Sequence, residues 1–149
     1  QGNPSRFPFP ISSMPAMDFS FSGVKTAVLY FLRDQLKQHE SFIEENLADL
    51  CASVQATLIS MLLEKLEIEA NQIGVREIVI AGGVSANSGL RSQLEKLAQT
   101  NQWNVYIPKI EYCTDNAAMI AIAAHYQYLA GQTDTLTASP NPRMKFGRK

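Results

Sequence analysis

The stretch that decides the fold is "IVIAGGVSANSGLRSQLEKLA", residues 78–98. An apolar run from Ile78 to Ala81 meets Gly82 and Gly83, and a helical pattern then begins near Ala86. "REIVIA" is β-branched without polar alternation, which reads as a short buried strand. Leu90, Leu94, Leu97 and Ala98 carry the helix, and "WNVYIP", closed by Pro108, is a second strand. Strand, helix, strand from Glu77 to Ile107 predicts a right-handed parallel crossover. In open α/β sheets ligands sit beyond the carboxyl ends of the strands, where Gly82 and Gly83 fall. A helix N-terminus beside them favours anions, and glycine leaves the backbone open to a base, ribose or phosphate. Asn87, expected in the first helical turn, offers both a donor and an acceptor. A plain tight turn with a solvated Asn87 accounts for the same local pattern. No GxGxxG or GxxxxGK[ST] is present, so neither the dinucleotide nor the P-loop signature applies.

The flanking sequence is mostly helical. Val24, Val28, Phe31, Leu32 and Leu36 recur at helical spacing from Gly23 to Gln38, with Ser22 as the expected cap. Ser41 and Glu44 fit a capping box. Behind them Ile43, Leu47, Leu50, Cys51, Val54, Leu58, Met61, Leu62 and Leu66 form one long amphipathic stripe. A final helix is expected over "TDNAAMIAIAAHYQYLAG", capped near Thr114 or Asp115 and closed by Gly131. Its alanines (Ala117, Ala118, Ala121, Ala124) predict close helix packing.

Composition bounds the rest. The chain has 149 residues, 46% hydrophobic and 18% charged, which suits about one soluble domain. A net charge of −1 gives no bulk signal for nucleic acid. Cys51 and Cys113 are far apart and form no CxxC, so a reduced, cytoplasmic setting is expected, with neither zinc site nor disulfide framework signalled. No apolar run approaches ~20 residues and no signal peptide is visible, so no membrane contact is expected. Residues 1–15, with Pro4, Pro8, Pro10 and Pro15, read as an irregular connection. Residues 16–131 read as the folded part and 132–149 as an irregular basic tail. Arg143, Lys145, Arg148 and Lys149 there could touch RNA phosphates or simply solubilise the end.

Two more stretches invite functional readings. In "IEYCTDNAAMIAIAAH" Asp115 and Asn116 follow the second strand as the glycines follow the first, and are expected on the same sheet edge. Asp115 there is either a helix cap or a metal ligand, and one carboxylate needs partners to hold a metal. His39 ends a helix, and His125 lies roughly 15 Å along its helix from Asp115, so neither completes a convincing site. In "DFSFSGVKTA", residues 18–27, Phe19 and Phe21 look like core anchors leading into a capped helix near Lys25.

"DFSFSGVKTA", "IVIAGGVSANSGLR" and "YCTDNAAMIA", in this order and separation, closely resemble the TsaD family of tRNA threonylcarbamoyladenosine transferases, once labelled O-sialoglycoprotein endopeptidases. The resemblance runs from about Phe7 to Gly131 but matches only the C-terminal part of a family member. It implies an α/β fold: the C-terminal portion of an actin-like ATPase (ribonuclease H-like) domain, helix-rich with a parallel β-α-β unit. It implies transfer of a threonylcarbamoyl group from threonylcarbamoyl-adenylate to N6 of the adenosine beside the anticodon in tRNAs reading ANN codons. It implies ATP, AMP or the adenylate as ligand, tRNA and partner subunits as company, and one divalent metal, iron or zinc. By resemblance Asp115 is a metal ligand, Asn87 contacts the adenylate, and Gly82 and Gly83 admit the nucleotide.

The family's HxxxH is absent from the 149 residues, as are its phosphate loop and first strands. The expectation is a C-terminal fragment with one metal ligand of three, half a nucleotide cleft, uncovered apolar surface and no transferase activity alone. A scaffold that docks partner subunits through its long helices is a second reading. A metallopeptidase matching the older label is a third, for which no HExxH is present.

Overall fold

The computed structural model describes residues 2–10 and 18–143. The chain divides into two units, Gln1–Cys113 and Thr114–Lys149. The first is built from α1 (Phe21–Gln38), α2 (Phe42–Ile73), β1 (Glu77–Val79), α3 (Ser88–Asn101) and β2 (Asn104–Tyr106). The strands pair in parallel, Glu77 with Asn104, Ile78 with Val105 and Val79 with Tyr106, with α3 between them in sequence. The expected strand–helix–strand unit is therefore present.

Two clusters hold this unit together. Ile59, Leu63 and Ala70 of α2 pack with Leu90, Leu94 and Ala98 of α3, Ile78 of β1, and Trp103. Leu94 is fully enclosed. Each such aliphatic side chain removed from water contributes about 1.5–3 kcal/mol. The second cluster joins Phe9, Phe42 and Leu50, with Phe7, Val28 and Phe31 packed against it. Phe9 meets Phe31 edge-on at 5.5 Å and Phe7 meets Phe42 at 5.7 Å.

That second cluster includes the N-terminal stretch, which forms no helix or strand over residues 2–10 yet docks onto α2. Its prolines prevent a helix but not docking. Asn3 N–H and Arg6 Nη1 both donate to the Asp49 carboxylate at 2.6 Å, and Phe7 N–H donates to Ser53 Oγ at 3.2 Å. Phe7 and Phe9, not Phe19 and Phe21, are the aromatic anchors. Phe19 and Phe21 stack on each other at 5.8 Å and remain 39% and 51% exposed.

Several caps also differ from expectation. Ser20, not Ser22, caps α1, because its Oγ lies where Gly23 N–H can donate, at 3.2 Å. Ser41 precedes α2, but at ψ 6° its backbone is not extended, and its side chain makes no cap bond. The expected Ser41–Glu44 box is therefore not closed. The strands are shorter and less covered than predicted. Ile78 is buried, whereas Val79 is 70% exposed.

The stripe along α2 is one continuous helix, but Leu47 and Cys51 are exposed. With Val28 and Leu32 of α1 its residues line an apolar groove of about 490 Å³. By length and composition α2 could cross a membrane. Its apolar residues supply both clusters, as those of a core helix do.

In the second unit, α4 (Ala117–Leu129) is largely apolar, with His125 and Gln127 among its few polar side chains, and buries no residue within that unit. Gly131 follows it at φ +68°, in the expected C′ conformation.

Candidate functional site

β1 ends at Val79, and Ile80 N–H still donates to the Tyr106 carbonyl at 3.2 Å. The chain then turns. Gly82 has φ +82° and ψ 174°, a conformation essentially confined to glycine. A Cβ added at Gly82 or at Gly83 would meet nothing within 4 Å. The backbone face of both residues is open, as a ligand lying on it would require. Ser85 closes the turn from beneath: it is 2% exposed, and its N–H and Oγ donate to the Gly82 carbonyl at 3.0 and 2.7 Å.

The helix after the glycines differs in detail from expectation. Residues Gly83–Ala86 form one 3-10 turn, and α3 begins only at Ser88. The α3 N-terminus therefore lies several residues past the glycines, and the expected anion-binding helix end does not open directly on them. Asn87 is the cap of α3 rather than a first-turn residue: its Oδ1 accepts from Leu90 N–H at 3.0 Å. Its Nδ2 donates to Gln55 Oε1 on α2 at 3.2 Å. Both ends of the amide thus have partners within the chain, while one Nδ2 hydrogen and one Oδ1 lone pair remain for another molecule.

The loop after β2 is tied to the same place. Arg91 donates from Nε to the Ser85 carbonyl at 2.6 Å and from Nη2 to the Pro108 carbonyl at 2.8 Å. Residues Ile110–Tyr112 form a second 3-10 turn, ending at the buried Cys113.

Asp115 lies in the second unit. The expected cap at Thr114 or Asp115 is instead Asn116, whose extended backbone lets its Oδ1 accept from Met119 N–H at 3.1 Å. Asp115 is exposed. His125 is set edge-on to Tyr126 at 5.6 Å, and His39 meets Glu45 at 2.8 Å.

The family model for tRNA N6-adenosine threonylcarbamoyltransferase matches residues 1–122. The chain belongs to this family. It is 50% identical to a protein of that name from Cytophaga hutchinsonii, across 99% of this chain and 43% of the relative. Proteins of the same name from Riemerella anatipestifer and Christiangramia forsetii are 47% and 44% identical, across 99% and 98% of this chain. The chain spans about 43% of the length of each.

Among the described residues no group of three His, Cys, Asp or Glu side chains could hold an ion. The described residues do not fit a metal by themselves, and no step of chemistry is assigned to one. Gln55, Ser85 and Arg91 were not singled out by the sequence. A signal for Arg91 existed: a cation at the fourth residue of a helix opposes the macrodipole, so its charge is expected to serve something else.

Proposed function

We propose that this chain is the part of a threonylcarbamoyltransferase that receives the nucleotide half of the substrate, within an actin-like (ribonuclease H-like) fold. The observation that supports the reading most is the open backbone at Gly82 and Gly83, past the carboxyl end of a parallel strand. A ribose or phosphate fits against peptide groups there at distances that a Cβ would forbid. Asn87, with one donor hydrogen and one lone pair to spare, borders the same turn.

The reaction proposed for the whole protein is acyl transfer. The threonylcarbamoyl carbonyl carbon forms a bond to N6 of an adenosine beside the anticodon in tRNAs reading ANN codons. Its bond to the adenylate phosphate oxygen breaks, AMP leaves, and N6 loses a proton. This chain's contribution is to hold the departing AMP in place, which removes translational and rotational freedom from the reacting pair. Asp115, released from the cap by Asn116, is proposed as one donor of an iron or zinc site whose other ligands the 149 residues do not contain. Partner subunits, a cytoplasmic setting and independence of membranes are proposed with the same reading.

The test is a chimera. The matching segment of the Cytophaga hutchinsonii relative is replaced by this chain, and threonylcarbamoyl incorporation into tRNA is measured with threonylcarbamoyl-adenylate supplied. Incorporation that is lost on Asp115→Ala and falls on Asn87→Ala is expected. A folded chimera that binds tRNA but transfers nothing would sink the reading. The 149-residue chain alone is expected to transfer nothing.

A further inference from the structure

One guanidinium joins the two turns that follow the two strands. Arg91 reaches back from α3 to the Ser85 carbonyl with Nε at 2.6 Å. Its Nη2 donates to the Pro108 carbonyl at 2.8 Å and to the Cys113 sulfur at 3.1 Å. Ser85 is fastened to Gly82 through its own N–H and Oγ. Cys113 is fastened to its turn by N–H to the Ile110 carbonyl at 3.1 Å and by its thiol to the Lys109 carbonyl at 3.4 Å. Ser85 and Cys113 are each 2% exposed. Among the described residues no carboxylate pairs with Arg91.

The acceptors are all uncharged, so the guanidinium serves geometry rather than charge neutralisation. Its planar fork carries five N–H groups in fixed directions, and a charged donor makes stronger hydrogen bonds than a neutral one. A lysine ammonium is a single point on a flexible stem and cannot reproduce this spacing. Arg91 thus sets the distance between the Gly82–Asn87 turn and the Pro108–Cys113 turn.

We propose that Arg91 is a positioning residue for the transfer reaction. It holds the turn over which the nucleotide lies in fixed register with the Pro108–Cys113 turn that follows β2. What the turns bind rests on the reading under Proposed function. The coupling between them rests on the contacts alone.

The experiment is amide and guanidinium 15N NMR on the 149-residue chain, with and without AMP. Arg91→Lys is expected to shift the amides of both turns together and to weaken AMP binding about tenfold, or ~1.4 kcal/mol. Cys113→Ala removes one acceptor of Arg91 and leaves every residue of α3 unchanged. In the arginine chain it is expected to shift the Gly82–Asn87 amides, and in the Arg91→Lys background it no longer should. Shifts from Cys113→Ala confined to its own turn, or AMP affinity within about twofold after Arg91→Lys, would overturn the proposal. If the unsubstituted chain binds no AMP, the nucleotide reading fails, and the ligand-free communication between the turns still decides the role of Arg91. If Arg91→Lys does not fold, Cys113→Ala alone decides it.

Discussion

The side-chain nitrogen of Asn87 donates to Gln55 Oε1 across 3.2 Å, while the oxygen of the same amide caps α3. One side chain thereby starts a helix, ties that helix to the middle of α2, and fixes which way its remaining hydrogen and lone pair point. A ligand would meet a group already oriented, and so lose less freedom on binding.

Asn87→Ala removes the cap and is expected to lower stability by about 1 kcal/mol, read from urea denaturation. Asn87→Ser restores an N-cap oxygen, but its hydroxyl sits one bond short of the Nδ2 that donates to Gln55 and should lose that contact. It should recover most of that stability while AMP binding stays weakened. Recovery of binding along with stability would show that Asn87 acts only as a cap.

Gly82 and Gly83 are expected to respond differently to alanine. Gly82→Ala forces a side chain into φ +82°, ψ 174°, a strain on the order of 1–3 kcal/mol that denaturation should report. Gly83 has no positive φ and open space around it, so Gly83→Ala should leave the denaturation midpoint nearly unchanged.

Leu94→Ala empties a fully enclosed position between α2, α3 and the sheet, with an expected loss of about 2–5 kcal/mol. A loss under ~1 kcal/mol in chemical denaturation would mean that this cluster is not the core described above.

Two carboxylates should shape the acid limb of stability. The Asn3 N–H, followed by Arg6, holds Asp49 below its ordinary pKa of 3.8. Tyr106, followed by Asn104, holds Glu77 below 4.5. A lowered folded pKa means stability that is fully present above the ordinary value and lost as pH falls through the lowered one. Acid titration should therefore release the N-terminal stretch, seen as a lower hydrogen-exchange protection factor at Phe7. Asp49→Asn should show that lost protection already at neutral pH. At the other end Glu77 raises Tyr106 above 10.0, so this pair loses its contribution again as pH climbs through the raised value.

The element order was legible because hydrophobic period and glycine placement are local properties. The strand–helix–strand unit, the long α2 and the Gly131 stop all follow from them. What local pattern could not reveal was which faces find a partner. Val79 and Ile78 are equally apolar in sequence, yet only Ile78 has α2 and α3 packed on it. Caps shifted by one or two residues because Ser20 and Ser22, or Asp115 and Asn116, are chemically interchangeable until the backbone angle is known. Phe7 and Phe9 were hidden by prolines, which forbid a helix but say nothing about docking. Of the candidate site, the glycine turn and Asn87 were readable. Gln55 was not, and Arg91 offered only its charge in the first turn of α3, because their partners are distant in sequence: Pro108 and Cys113 for Arg91, Asn87 for Gln55.

The most direct measurement of the central claim is an AMP titration of the chain followed by amide NMR, comparing the unsubstituted protein with Gly83→Ala. Shifts centred on Gly82, Gly83 and Asn87 are expected in the unsubstituted protein. The added methyl should weaken binding about tenfold or more, with the denaturation midpoint unchanged. Equal binding by both proteins, or no shifts in this turn at millimolar AMP, would contradict a nucleotide lying on the Gly82–Gly83 backbone.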